Sequence, residues 1–360
     1  MTLTPTVGHV TQGIRDEFTC YVLDPGNTQL TWLTGLQVLP DNDLVVHHAV
    51  VTELDGSKPE TQQLVAAKGI GVPFDCGSIA TPADVVVHIW TPGNQPMQTD
   101  GHLAVPLLAN AKLVMQIHYH PAGTVHREDR TALALRTSTV QPERVYFVTA
   151  FGNASQAPNL DPDLDDRAGG PEFRIPANAG AHHETMAFTL PALGVDDVRV
   201  FSVNPHMHLV GTHISSTIVR ANPSSAQPAR ECLANGGWNF DWQRTYQYAT
   251  SLATLPQVAE GDTISVECTW NNTRANPFVQ RMLDDAGLDA PVDILLGEQT
   301  TNEMCLEIVG LSIPTSALLG AQGLTPERLH LPGTRSVAEL MKASRWATAT
   351  RRPRRSRRSR

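Results

Sequence analysis

The chain has 360 residues, 41% of them hydrophobic and 18% charged, with a formal net charge of −9. That is long enough for one large domain or two of ordinary size, and no stretch reaches the ~18 apolar residues that a membrane-spanning helix needs. Eight arginines and no acid lie in residues 345–360, which leaves 19 of the 27 basic residues against 36 acidic ones elsewhere; a body at −17 argues against a nucleic-acid partner.

Along the chain, the first five residues lack the basic and apolar regions of an export signal, which favours a cytosolic protein or one whose signal is missing from this start. Short apolar runs then follow at 44–46, 84–90, 112–117, 198–203 and 263–266. They are rich in β-branched residues, have strand length, and are bounded by Gly, Pro, Asn and Asp. Helical periodicity is weak and is best at 61–68, 277–286 and 336–343. A domain boundary is expected near residues 138–146, where 137–143 interrupts two strand-like runs. Residues 153–171 form a Pro/Gly/Asp-rich insert whose acids, 161–166, offer Ca²⁺ ligands without the spacing of a known calcium loop, so a solvated acidic loop is the simpler reading. The arginine-rich tail has nothing apolar to bury and is expected to be disordered. Many short strands with frequent turns predict an all-β protein of antiparallel sandwiches or jelly rolls.

The chemistry-bearing residues are histidines and one methionine. His206 and His208 sit at i and i+2 in Asn204-Pro205-His206-Met207-His208, so on a strand their rings share a face. Pro205 cannot donate to a sheet ladder and puts the pair at a strand edge or end. His47 and His48 are adjacent and face opposite ways on a regular strand; to share an ion they need a bulge. His118 and His120 share a face, and spacing alone does not choose between them. Met304, in Asn302-Glu303-Met304-Cys305, offers a thioether at the end of a polar approach, which would put it at the mouth of a sheet. Taken alone it reads as a core methionine. With imidazoles beside it, a thioether points to copper, since it favours Cu(I).

Six motifs occur in order: His47-His48, residues 85–90 with a Pro-rich turn after them, Gln116-Ile117-His118-Tyr119, His206-Met207-His208-Leu209, Glu267-Cys268-Thr269-Trp270-Asn271, and Asn302-Glu303-Met304-Cys305. Over residues 15–315 the chain thereby resembles the copper type II, ascorbate-dependent monooxygenases, the group of peptidylglycine α-hydroxylating monooxygenase and dopamine β-monooxygenase. The resemblance implies two tandem antiparallel jelly-roll sandwich domains, residues 15–143 and 144–320, ahead of a tail at 321–360. Each domain would hold one copper across a solvent-filled cleft. His47, His48 and His118 would bind the electron-storing copper, with Gln116 beside it as a cofactor-binding residue. His206, His208 and Met304 would bind the copper where O₂ and a small organic substrate meet, and ascorbate would supply the electrons for hydroxylating a C–H bond. The resemblance also implies disulfides Cys20–Cys76 and Cys268–Cys305, leaving Cys232 without a partner. Disulfides and copper point to a secreted or periplasmic protein, against the reading of the N-terminus.

Peptide-amidating relatives hold a substrate carboxylate with an arginine where this chain has Asn204, and with an asparagine and a tyrosine where it has Leu306 and Ile308. A peptidylglycine substrate is therefore not expected; a less charged one with apolar or aromatic parts is. Two other readings compete: a copper-binding protein of the same fold without turnover, and a mononuclear zinc or iron jelly-roll enzyme, which would leave Met304 unexplained.

Overall fold

A computed structural model describes residues 1–318 except 77–84, 121, 126, 154–158, 168, 193, 298 and 299. The expected tail at 321–360, with its helix at 336–343, lies outside the described residues. The fold is all-β. The first half contributes β1 (Glu17–Leu23), β2 (Thr31–Leu39), β3 (Val46–Leu54), α1 (Pro59–Lys68), β4 (Val85–Trp90), β5 (Leu103–Leu107), β6 (Lys112–Tyr119) and β7 (Ala132–Ser138). The second half contributes β8 (Arg144–Asn153), β9 (His182–Thr189), β10 (Val198–His206), β11 (Gly211–Val219), β12 (Arg230–Gly237), β13 (Thr263–Trp270), α2 (Pro277–Ala286) and β14 (Cys305–Pro314).

The run expected at 44–46 is mostly turn. Leu44 N donates to Asn42 Oδ1, and Val45 N and Val46 N donate to Asn42 O, so β3 starts only at Val46. By contrast α2 follows its local signals closely. Pro277 opens it, the Asn276 side chain caps it by accepting from Phe278 N, and Gly287 ends it in the left-handed region at φ 63°. Val279, Met282 and Leu283, at helical spacing, are its buried face.

Three large sheets form. One has the order β1-β6-β3-β4, with a short strand Phe74–Asp75 outside β1; another has β9-β13-β11-β12. The third crosses the expected domain boundary in the order β7-β2-β5-β8-β14-β10. The two halves join where β5 and β8 pair in parallel through Leu103 with Arg144 and Ala104 with Val145. The first-half core, including Leu33, Val51, Leu113 and Ile117, fills the space between β1-β6-β3-β4 and β7-β2-β5. The second-half core, including Val200, Ile214, Val266 and Trp270, lies between β8-β14-β10 and the remaining sheet.

β8 and β14 are buried along almost their whole length. Tyr146, Val148, Ala150, Leu306 and Ile308 face the first-half core, whereas Val145, Phe147, Val309, Leu311 and Ile313 face the second. Strands covered on both faces lose the alternation of a half-exposed strand and read as nearly continuous apolar runs.

Gly310, midway along β14, allows that packing. A Cβ there would run into Ser202 Oγ and the Tyr146 ring. Gly310→Ala is expected to destabilise the protein by about 1–3 kcal/mol through overpacking, read from urea unfolding midpoints; an unchanged midpoint would show that the central strand yields.

Candidate metal centres

The first group is built by a defect in strand pairing. β6 pairs with β3 so that His118 lies opposite His48 and Tyr119 opposite Val46, leaving His47 as the extra residue of a bulge. The bulge lets neighbouring histidines turn to one side. Their Nδ1 atoms and that of His118 form a triangle with sides of 3.3, 3.3 and 3.2 Å. A point equidistant from the three lies about 1.9 Å from each, close to the ~2.0 Å of a metal–imidazole bond.

The protonation pattern suits a cation. His118 Nε2 lies 2.8 Å from Asp16 Oδ1, and a carboxylate only accepts, so Nε2 carries a hydrogen and Nδ1 is the nitrogen turned to the other two histidines. Burial, reinforced by the neighbouring histidines, pushes His47 and His48 well below the ordinary imidazole range, so both rings are neutral. Phe18 stacks on His118 at 4.5 Å and Phe240 on His47 at 5.1 Å between ring centroids. His120 stays outside the triangle, its ring 5.9 Å from that of His47. Gln116 sits behind the group, donating to Cys76 Sγ at 3.4 Å beside the Cys20–Cys76 disulfide.

The second group forms where β10 ends. His206 is its last residue and His208 lies in the loop beyond, with ring centroids 5.2 Å apart and planes at 86°. His206 Nδ1 donates to Gln243 Oε1 at 3.0 Å; the amide is oriented because Gln243 Nε2 donates to Phe240 O. His208 Nδ1 donates to Asn302 O at 3.0 Å. Both acceptors fix the same tautomer and leave the lone pair on Nε2. Burial pushes His206 down to about 4, so its ring is neutral.

Met304 immediately precedes β14 and is buried. β14 pairs with β10 as far as Leu306 opposite His206, and Met304, two residues before that pair, is counted in the first-half core. Glu303, also buried, connects the segments. Its Oε2 accepts from His208 N at 2.8 Å, Trp270 Nε1 at 3.0 Å and Met304 N at 3.3 Å; its Oε1 accepts from Val210 N at 2.8 Å. The Cys268–Cys305 disulfide ties the residue after Met304 to β13, and Cys232 is an exposed free thiol.

One segment touches both groups. Phe240 lies on His47, and Gln243, three residues on, bonds His206. A cavity of about 320 Å³ between the halves is lined by His88, Met97, Tyr146, Asn204, Arg244 and Ile308, among others. Arg244 brings a guanidinium near Asn204 and stacks over Trp242 at 3.6 Å. Sequence reasoning missed Asp16, Gln243, Phe240 and Arg244, which carry no local signal. Glu303 lay inside a quoted motif, unassigned.

Residues 174–282 match the family model of the copper type II ascorbate-dependent monooxygenase, C-terminal domain. The matched segment includes His206, His208, Gln243 and Trp270; it ends before Met304 and does not reach the first histidine group. No curated protein matches the chain. Among solved structures, the major capsid protein P2 of bacteriophage PM2 is 9% identical, with 90% of this chain and 99% of that one covered at a TM-score of 0.32. The D431N mutant VP2 of infectious bursal disease virus is 8% identical, with 88% and 70% covered at 0.24. Likenesses this low carry no argument about fold or function.

Two predictions follow from this geometry. Asp16→Ala should weaken metal binding by the first group roughly 10- to 100-fold by freeing the His118 ring, and should leave the His206–His208 group unaffected. Copper titration against a competing chelator reads both; equal weakening of both groups would contradict the assignment. The second concerns Glu307, which is fully buried on β14 and accepts from Ser216 Oγ at 2.7 Å. Burial raises its carboxyl from 4.5 to about 8. Native protein therefore holds this proton more tightly than unfolded chain does. The stability it contributes is full below pH 4.5 and is lost as pH rises through about 8, at roughly 1 kcal/mol per pH unit. Glu307→Gln should remove that slope, so variant and native unfolding free energies should diverge between pH 5 and 8; parallel profiles would refute it.

Proposed function

We propose that the chain is a copper-dependent monooxygenase that hydroxylates a C–H bond of a small organic substrate, using O₂ and electrons from ascorbate. The observation that supports this most is the histidine pair within the family-matched segment. Both Nδ1 atoms are engaged by acceptors, so both lone pairs are on Nε2, and a methionine immediately precedes the strand that pairs with that of His206. Two imidazoles with a thioether suit copper and favour Cu(I). Bound copper would supply O₂ activation and one-electron transfer.

In this reading His47, His48 and His118 hold one copper and His206, His208 and Met304 a second. Asp16 and Gln243 orient one ring in each group, and Gln116 backs the first from the disulfide side. The segment from Phe240 to Gln243 offers electrons a route through protein from the first group to the second. The cavity beside Asn204 and Ile308 takes the substrate. Its walls, Met97, Tyr146, Val148 and Ile308, suit an apolar or aromatic body, and Arg244 suits an end that accepts hydrogen bonds. That qualifies the less charged substrate inferred from Asn204 alone. The disulfides support an oxidising, secreted or periplasmic setting, and no described helix is long and apolar enough to cross a membrane.

Elemental analysis of purified protein should find two coppers per chain, and ascorbate should drive O₂ uptake with small phenethyl or aliphatic amines or alcohols. Met304→Ala should retain the first copper and lose turnover by roughly 100-fold or more, about 3 kcal/mol of barrier. A single zinc or iron per chain, or unchanged turnover in the variant, would sink the proposal.

A further inference from the structure

A donor cluster of another kind lies on β9. The acidic insert, expected to be a solvated loop, is stitched to this strand: Asp161 N donates to Thr185 O at 2.8 Å, and Ala187 N to Asn159 O at 3.2 Å. It thereby delivers Asp163 and Asp165 to His182, the first residue of β9. His182 Nε2 lies 2.8 Å from Glu184 Oε1 and 3.9 Å from Asp163 Oδ2, while Nδ1 lies 3.4 Å from Asp165 Oδ2. His182 and Glu184, at i and i+2, share a face of the strand. One candidate ligand atom from each of Asp163, His182 and Glu184 falls within 4.8 Å of the others.

The Glu184 side chain is 1% exposed, and its Oε2 has no hydrogen-bond partner among the described residues. Leaving a carboxylate oxygen buried and unpaired is costly, and a cation would remove that cost. Three carboxylates surround one imidazole. The nearby Arg174 guanidinium is turned to Glu172, Asp293 and the Asp165 carbonyl.

We propose that Asp163, His182 and Glu184 bind a divalent first-row cation of the Mn²⁺ or Zn²⁺ class. Asp165 accepts from Nδ1–H and orients the ring, as outer carboxylates do for metal-bound histidines. Two carboxylates and no thioether make this donor set harder than either histidine group. The site is independent of the copper reading, but it lies one side chain from the second group. The His182 ring is 6.1 Å from that of Trp270, whose Nε1 donates to Glu303. The cation would brace the insert, β9 and Trp270.

Copper-loaded protein titrated with MnCl₂, and separately with ZnCl₂, tests this. Free Mn²⁺ is followed by electron paramagnetic resonance, and bound metals by elemental analysis after desalting. At least one of the ions should add an equivalent per chain beyond copper, bound at least roughly 10-fold more weakly in Glu184→Gln and in Asp163→Asn. Copper content and circular dichroism should not change. Asp163 lies on the insert, so its variant tests the site even if Glu184→Gln fails to fold. The proposal is overturned if neither ion adds an equivalent, or if Asp163→Asn binds it as tightly as the native chain. Copper measured in the same samples reports separately on the copper reading.

Discussion

Neither His208 nor Met304 belongs to a strand, so the sheet ladder that fixes His206 does not hold them. The buried carboxylate of Glu303 does. It gathers three backbone N–H groups and one indole N–H, from the His208 loop, from Met304 and from β13. Without it those buried donors would lack a partner, at roughly 1–3 kcal/mol each. Burial raises the Glu303 carboxyl, and the four donors limit the rise to about 7. The geometry of the second group therefore depends on a buried carboxyl that touches backbone and indole while the imidazoles find other partners, Gln243 and Asn302. The disulfide at Cys305 adds a covalent restraint to the same segment.

The same economy joins the halves. β8 and β14 serve both cores, and the segment 239–245 is pinned from each side. Thr91 Oγ1 donates to Gln243 O at 2.6 Å, and Thr245 N donates to Asn94 Oδ1 at 2.8 Å, both first-half residues just beyond β4. From the second half, His206 holds Gln243. A loop fixed at both ends can set the relation between the histidine groups more firmly than two sandwiches facing across water.

Much of this was legible in the chain and some was not, for physical reasons. Period-2 runs located β4, β6, β10 and β13 because their neighbours are Gly, Pro, Asn and Asp, and the α2 boundaries follow from its caps. The adjacency of His47 and His48 stated that a bulge was needed, but the pairing of Tyr119 with Val46 that creates it is a long-range event with no local code. Asp16 is 102 residues from His118, and Gln243 is 37 from His206; such partners are found by topology. Leu44 looked like strand because it is apolar, yet Asn42 turns the backbone there. Met304 shows the limit of burial as a guide, since a ligand thioether and a core thioether are equally hidden.

Charge sorts the donor clusters. The histidine groups offer imidazole nitrogens and, in the proposed reading, one thioether. A buried site lined by neutral nitrogen and sulfur disfavours high net charge, so it favours the monovalent over the divalent state of a redox ion and brings its potential within reach of a mild reductant. A carboxylate ligand would act in the opposite direction; Asp16 meets only the Nε2 side of His118, and Glu303 spends its oxygens on backbone and indole N–H groups. On β9 the arrangement is reversed: Asp163, Asp165 and Glu184 surround a single imidazole, and their negative charge calls for a divalent ion with no redox work to do. In the proposed reading, one half of the chain presents two metal environments of opposite electrostatic design, and Trp270 contacts His182 on one side and Glu303 on the other.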